Sequence, residues 1–402
     1  MKILVVCQHY WPEPYPLEDA CEELAKRGHT VHVVTGIPNY PMGYIYPEYR
    51  HGKNRHQQRN GVKITRTFTI GRRNNLVFRF LNYFSFPLFS VLHVLRLKEE
   101  YDVVFTNQTS PVMMVSAALA YAKKWKKKVV LYSMDLWPAS VSAGGVREGS
   151  LIYRIFYWIS DRLYRGADKI LITSRMFRAY FDEQFGIRGD RVEYLPQYAD
   201  SMFEVCPPRE KDGLVNLVFA GNIGAAQSLD TVLQAAKLLE TEENLRWHIV
   251  GDGSELTTLK AMAADLQLPN VVFHGRKPLE EMPAYYAMAD AMLVTLTKDP
   301  MISMTLPGKV QSYMATGKPI LAAADGEIPE VIRASGCGFC ARAEDAQGLA
   351  DAVRAFLSCE DKETLGHNAR TYYENHFTRN LFMDHLERVL KEYCTGDEGT
   401  VH

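Results

Sequence analysis

The segment Phe219-Ala-Gly-Asn-Ile-Gly-Ala-Ala-Gln227 ends an apolar β-type run with two glycines three residues apart, ahead of a helical stretch. Gly221 and Gly224, with Asn222, Ile223 and Gln227, can turn backbone N–H groups toward an anion. Gly251-Asp-Gly253 follows the next apolar run, and Gly275-Arg276 follows the one after. Each turn alone reads equally well as an ordinary strand-to-helix connection. On successive strands they point to a bound nucleotide diphosphate. Leu306-Pro307-Gly308-Lys309 then opens a helix carrying Ser312. Free N–H groups at a helix start, with a lysine in the first turn, suit a diphosphate. Donors there also stabilise the charge that gathers on a departing diphosphate, without a metal. The plain alternative for Lys309 is an exposed helix lysine.

The first loop has a different character. Gln8-His9-Tyr-Trp-Pro-Glu13-Pro14 follows the first strand and contains no glycine. A nicotinamide dinucleotide fingerprint needs glycines in this turn, so a dehydrogenase is disfavoured. The loop is bulky and stiff, better suited to lining an acceptor pocket. No Asp-x-Asp triplet occurs, the pattern that holds a divalent cation in metal-dependent sugar transferases. No metal site is expected. Cys337-Gly-Phe-Cys340 has CxxC spacing, but zinc needs a second pair or histidines at ligand spacing. Small side chains packed beside a glycine turn account for it.

These residues need elements to position them. Lys2–Cys7, Thr30–Thr35, Asp102–Thr106, Lys128–Ser133 and Lys169–Ser174 read as buried parallel strands. Helices over Pro16–Lys26, Val112–Lys123 and Tyr153–Tyr164 alternate with them. A second series begins at Val215–Ala220 and continues through Trp247–Val250, Val271–His274, Ala291–Thr295 and Pro319–Ala323. Its helices are Ser228–Glu240, Glu255–Asp265, Glu280–Met288 and Lys309–Ala315. Cys206-Pro-Pro-Arg-Glu-Lys-Asp-Gly213 is a linker. The fold class is therefore α/β, with two doubly wound Rossmann-like domains facing across a cleft and ligands at the carboxyl ends of the strands. The expected divisions are 1–200, 201–378, and a helix and tail over 379–402 that can return to the first domain.

The chain has 402 residues and a net charge of −1. It opens Met1-Lys2 straight into an apolar strand, which reads as lacking a secretory leader. Seven cysteines, an odd number, then suggest reduced thiols in a cytosol. Residues 49–98 hold eleven Lys and Arg and no Asp or Glu, leaving the remainder acidic by about twelve charges. Aromatic and aliphatic residues interleave from Leu76 to Ser90. Phe80–Leu95 is apolar and uncharged but short for a membrane span. Cations beside rings suit an anionic bilayer surface. A solvated basic loop before a core helix is the alternative. Nucleic acid is not expected, since no groove-reading motif accompanies the charge.

As a set, these motifs resemble glycosyltransferase family 4, over nearly the whole chain. Ala25-Lys-Arg-Gly-His29 with Val31-His-Val-Val-Thr35, and Val250-Gly-Asp-Gly253, fit the broad family. Thr35-Gly-Ile-Pro-Asn-Tyr-Pro41 and Asp135-Leu-Trp-Pro138 resemble a bacterial subgroup that includes fucosamine, capsule and colanic acid transferases. Gly221-Asn-Ile-Gly224, Leu306-Pro-Gly-Lys309 and Tyr313-Met-Ala-Thr-Gly-Lys-Pro319 complete the pattern. The resemblance implies a GT-B fold and a metal-independent hexosyl transfer that retains configuration, with no resident cofactor. It implies a nucleotide-sugar donor, preferably UDP-linked, and a polyprenyl-diphosphate-linked saccharide acceptor. The setting would be surface polysaccharide synthesis, peripheral on the cytoplasmic face of the membrane. Gly224 and its neighbours would face diphosphate or sugar, Arg276 would lie near the base, and Pro307–Ser312 would hold phosphate. Asn222 and Gln227 stand where the broader family has Arg and Lys. Met304 and Ser312 stand where it has two glutamates, and Asp135 where it commonly has a histidine.

Asp135 is then the first choice for a carboxylate that orients the acceptor hydroxyl or takes its proton. Glu13 and His9 come second, and a strand-end aspartate capping a turn is the alternative for Asp135. A GT-B sugar-nucleotide epimerase, or a catalytically silent assembly partner, would use the same fold differently.

Overall fold

The computed structural model describes residues 1–15, 17–73, 75–143, 145–205 and 213–394. Pro16 and most of the 206–213 linker lie outside them. The chain divides into two compact units. Unit 1 takes Met1–Thr173, Phe177–Leu195 and the segment from Met383; unit 2 takes Ser174–Met176 and Pro196–Phe382.

Unit 1 is built on an eight-stranded sheet, in the order β3-β4-β2-β1-β5-β6-β7-β8. The strands are β1 (Lys2–Val6), β2 (Thr30–Thr35), β3 (His56–Arg59), β4 (Val62–Arg66), β5 (Val103–Gln108), β6 (Val129–Ser133), β7 (Lys169–Ile172) and β8 (Val192–Tyr194). All neighbours are parallel except β3 and β4. Asn60-Gly61 joins that pair with φ of 45° and 84°, the two-residue hairpin turn that needs left-handed backbone at both positions. Helices α1 (Leu17–Lys26), α2 (Leu76–Arg96), α3 (Ser116–Trp125), α4 (Ala139–Ala143), α5 (Leu151–Gly166) and α6 (Phe177–Phe185) connect the strands. In α1 the buried residues are Leu17, Ala20, Cys21 and Leu24, one stripe at helical spacing. Val112–Val115, expected as α-helix, is a 3₁₀ turn that leads into α3.

Unit 2 has a six-stranded parallel sheet, in the order β11-β10-β9-β12-β13-β14. Its strands are β9 (Val215–Ala220), β10 (Leu245–Val250), β11 (Val271–Gly275), β12 (Ala291–Thr295), β13 (Ile320–Ala323) and β14 (Gly338–Ala341). Around them lie α7 (Leu229–Leu238), α8 (Leu256–Asp265), α9 (Met282–Met288), α10 (Pro300–Ser303), α11 (Gly308–Ala315), α12 (Glu327–Ser335), α13 (Ala346–Ser358) and α14 (Lys362–His376). Cys340 sits on the edge strand β14, just after the buried Cys337, and both are free thiols.

The last helix, α15 (Arg379–Glu392), starts in unit 2 and belongs to unit 1 from Met383 onward. There Arg27 donates to Asp384 and Glu387 at 2.7 and 2.9 Å. Glu193 takes His385 at 2.6 Å and also binds Arg388.

In each sheet the first strand of the series is central and the order reverses beside it, between β1 and β5 in unit 1 and between β9 and β12 in unit 2. Crevices form outside the carboxyl ends of strands at such a reversal. In unit 2 the turns there are pressed together. A Cβ at Gly251, where φ is 146°, would lie 1.8 Å from the Gly221 carbonyl oxygen. Gly251→Ala should therefore destabilise the protein by at least about 2 kcal/mol, from clash and left-handed backbone together. Urea unfolding followed by fluorescence checks this, with Gly145→Ala, whose Cβ meets nothing, as the control for φ alone.

Candidate active site

In unit 2 the glycine turns do not all act as the sequence suggests. The Gly221 N–H donates to the Val250 carbonyl, and the Gly251 N–H to the Gly275 carbonyl, both at 2.9 Å. These donors are spent on joining one turn to the next. The Gly253 N–H is held by Asp252 Oδ1 at 2.8 Å. Ile223 is fully buried in the core beside Phe219. Its N–H and C=O bind Asp252 and Glu255 at 2.9 and 3.0 Å. Ile223 thus locks the turns and offers a ligand nothing. Leu306 is likewise a core residue. Ser312 turns its hydroxyl back to the Gly308 carbonyl at 3.2 Å, a common use of serine inside a helix.

What remains open is compact. Beyond Gly221 the chain turns through Asn222, exposed, and Gly224 into a 3₁₀ turn at Ala225–Gln227. Among the described residues, the N–H groups of Gly224, Ala225 and Ala226 bind no protein acceptor. From α11, the second helix after β12, Lys309 reaches back to this turn. Its ammonium donates to Gln227 Oε1, and its Nζ lies 4.1 Å from the centre of the Phe219 ring. A Cβ on Gly221 would come within 3.2 Å of that nitrogen, so glycine also gives the lysine its place. Among the described residues, the N–H groups of Gly308 and Lys309 at the head of α11 find no acceptor, as first-turn donors do. Burial, with no carboxylate to offset it, lowers the Lys309 pKa from its ordinary 10.5 to about 7. Arg276 is exposed beyond β11.

In unit 1 the carboxyl ends of β1 and β2 are joined by a carboxylate. Buried Glu13 accepts the N–H groups of Asn39 and Tyr40 through Oε1, at 2.6 and 2.7 Å. Its Oε2 lies 2.8 Å from His9 Nδ1. The His9 ring stacks on Tyr15 with centroids 4.9 Å apart. Asp135, two residues beyond β6, accepts the Leu136 N–H at 2.9 Å and the Ser140 hydroxyl. Burial raises its pKa above the ordinary carboxylate value, opposed by those bonds. Asp135 thus caps the turn into α4.

The basic stretch is partly consumed by its own unit. Arg59 pairs with Glu18 and Glu22 at 2.8 and 3.2 Å and covers Trp11. Lys63 pairs with Glu99 at 2.8 Å, and Arg66 is buried on the Trp11 carbonyl at 2.7 Å. Arg50, Lys53, Arg73, Arg96 and Lys98 stay exposed, and an apolar surface accompanies them. Phe80, Leu81, Phe84, Leu88, Leu92 and Leu95 of α2 are exposed, and so are Leu151, Ile152, Ile155 and Trp158 of α5. Phe80 and Phe156 bring the two helices together, at 6.1 Å between centroids. By length and composition the α2 stretch Val77–Arg96 could cross a membrane. Its other side is tied to unit 1, where Asn82 accepts from Gln8 at 2.9 Å and donates to the Ile70 carbonyl at 2.7 Å.

Two family models match in tandem: a "glycosyl transferase 4-like domain" over residues 16–197 and "glycosyl transferases group 1" over residues 207–372. Together the two models span most of the chain, and the chain is a glycosyltransferase. Among its relatives is WbjE of Pseudomonas aeruginosa, named as a probable glycosyltransferase, 28% identical over 81% of this chain and 83% of that one. Another is WcaI of Escherichia coli K12, assigned by name to colanic acid biosynthesis, 24% identical over 99% and 100% of the two chains. The solved structure of Anabaena Alr3699/HepE in complex with UDP superposes with a TM-score of 0.71 at 16% identity, covering 98% and 100% of the chains. This glycosyltransferase therefore has the GT-B fold of two parallel-sheet α/β units.

Sequence reasoning placed the transferase's Lys309 and the turns around it correctly in the fold, but missed the Glu13 bridge and the exposed face of α5. The bridge joins two motifs that were noticed separately, and their pairing carries no local signal. Since the folded-state pKa of Lys309 lies below its unfolded value, the unfolded chain holds the extra proton between about 7 and 10.5. This group therefore makes stability rise with pH across that window. Lys309→Met should flatten the rise and lift the melting midpoint at neutral pH, as thermal melts across the window would record.

Proposed function

We propose that this glycosyltransferase moves a sugar from a UDP-linked donor to a lipid-linked saccharide, with retention of configuration, in bacterial surface polysaccharide synthesis. The observation that carries the reading is Lys309, a cation held against Phe219 and Gln227 with no counter-ion among the described residues, facing a turn with three unspent N–H donors. A diphosphate is the anion that fits. Its charge restores the proton to the ammonium, and the N–H groups meet its oxygens. As the sugar–phosphate bond breaks, negative charge grows on the oxygen nearest these donors, so they bind the transition state more tightly than the ground state. The developing charge is met without a metal ion. The UDP bound in the Alr3699/HepE structure supports the choice of uridine, and the assignment of WcaI to colanic acid supports the setting.

The acceptor's lipid calls for a membrane surface at unit 1. The exposed faces of α2 and α5 form an apolar patch, and α2 contains no Asp or Glu. Arg79, Arg154 and Arg162 stand on these same helices, with Arg162 4.3 Å above the Trp158 ring. Rings and aliphatic chains would bury in the headgroup region, and guanidinium groups would pair with anionic lipids on the inner face of the cell membrane.

Calorimetry tests the donor. UDP should bind without added metal, and Lys309→Met should weaken binding at least about tenfold, the loss of one charge-assisted contact. Equal binding by the variant, or no UDP binding by the wild type, would remove the reading. Vesicle flotation tests the surface. The protein should float with phosphatidylglycerol-containing vesicles and less with pure phosphatidylcholine, and Leu88→Glu with Trp158→Glu should abolish flotation while leaving UDP affinity unchanged.

A further inference from the structure

Gln227 is built into its turn more firmly than a surface glutamine needs. Its N–H donates to the Gly224 carbonyl at 2.9 Å, and its own carbonyl accepts the Thr295 hydroxyl. The Ala226 carbonyl accepts the Thr297 N–H at 3.1 Å. Thr295 and Thr297, at and just beyond the end of β12, therefore fix the backbone from which the Gln227 side chain leaves. Its amide oxygen accepts the Lys309 ammonium, whose nitrogen lies 4.1 Å from the centre of the Phe219 ring. Around that nitrogen β9 contributes Phe219 and Gly221, the turn contributes Gln227, and no titratable or charged group of the described residues acts on it. A carboxylate in place of the amide would have the same shape and one more negative charge. It would neutralise the ammonium as an ion pair, which an incoming diphosphate would have to displace. A hydrocarbon would accept no hydrogen bond, and the flexible lysine stem would be free to swing. The amide is the side chain of that shape that holds the ammonium and leaves its charge whole.

Resting on the donor reading above, we infer that Gln227 is the positioning residue of the diphosphate site. It fixes the Lys309 ammonium beside the N–H groups of Gly224, Ala225 and Ala226, which find no acceptor among the described residues. It acts through Lys309 rather than on the ligand, and its neutrality leaves the lysine's charge for an anion to meet. Exchange of its amide for a carboxylate is therefore enough to close the site to a diphosphate without changing its shape.

Two measurements on the full-length protein decide this. The first is calorimetry with UDP, without added metal. Gln227→Glu should weaken binding at least about tenfold, since an internal ion pair must break first. Gln227→Met should weaken binding on its own, but change it by less than about twofold where Lys309→Met is already present. Wild-type affinity in Gln227→Glu, or an equal loss from Gln227→Met in both backgrounds, overturns the proposal while leaving the donor reading intact. The second measurement needs no ligand: thermal melts between about pH 7 and 10.5. A carboxylate beside the ammonium raises the folded-state pKa of Lys309 back toward its unfolded value. Gln227→Glu should therefore flatten the rise in stability across that window and lift the melting midpoint at neutral pH. The introduced carboxylate itself titrates far below the window. Gln227→Met should keep the rise, which separates charge from packing. A rise in Gln227→Glu as steep as the wild type's overturns the proposal. Failure of the wild type to bind UDP overturns the donor reading instead, and the melts then still support or overturn the hold of Gln227 on Lys309.

Discussion

Parallel strands buried on both faces cannot be joined by tight turns. Each connection must cross a face of the sheet, and crossovers take one hand, so a chain that fills both faces starts in the middle and works outward twice. Both sheets obey this constraint, one from β1 and the other from β9. It leaves two adjacent strands whose connections depart in opposite directions, and their ends lie uncovered. In unit 1 the uncovered end holds the His9–Glu13 loop. In unit 2 it holds the Gly224–Gln227 turn, with Lys309 arriving from the strand on the other side of the reversal. Every residue argued to do chemistry stands where the topology leaves room.

Unlike the arginines of the basic stretch, Lys309 has been left unpaid. Arg59 and Lys63 meet carboxylates of their own unit, and Arg66 is held by a carbonyl, an amide and the Tyr49 ring, with only its Nη1 left over. A half-buried cation with no carboxylate beside it among the described residues is costly to fold around. Proteins tolerate such costs at sites that wait for a ligand, where the strain of the empty state becomes affinity. The contrast separates structural charge from functional charge more sharply than counting Lys and Arg along the chain.

Much of the architecture was legible in the sequence because buried parallel strands are continuous apolar runs. Val215–Ala220 and Ala291–Thr295 were bounded to the residue. The β3–β4 hairpin was overlooked, although Asn60-Gly61 is a strong turn signal, because its strands are polar and only β4 is buried. The edge strand β14 hid in the CxxC spacing. At the site, Lys309 and the Gly224 turn were readable from types and order. Which glycine N–H groups were free was not, since Gly221 and Gly251 spend theirs on partners from other strands. Nor could sequence pair Glu13 with Asn39 and Tyr40, since that contact depends on two loops meeting. The exposed face of α5 was invisible for a related reason: an apolar stripe reads as core until its neighbours are known.

The course of α15 bears on how the protein is made. Unit 1 contains the first residues of the chain, yet its Arg27, His29 and Glu193 wait for Asp384, Glu387, His385 and Arg388. On the ribosome those partners emerge after unit 2. Unit 2 up to Phe382 is already synthesised by then and is free to fold from contiguous chain, as domains generally do during synthesis. Unit 1 is thus begun before unit 2 and finished after it, and until its closing helix arrives it carries two arginine- and glutamate-lined seams for a chaperone or a misplaced helix to occupy.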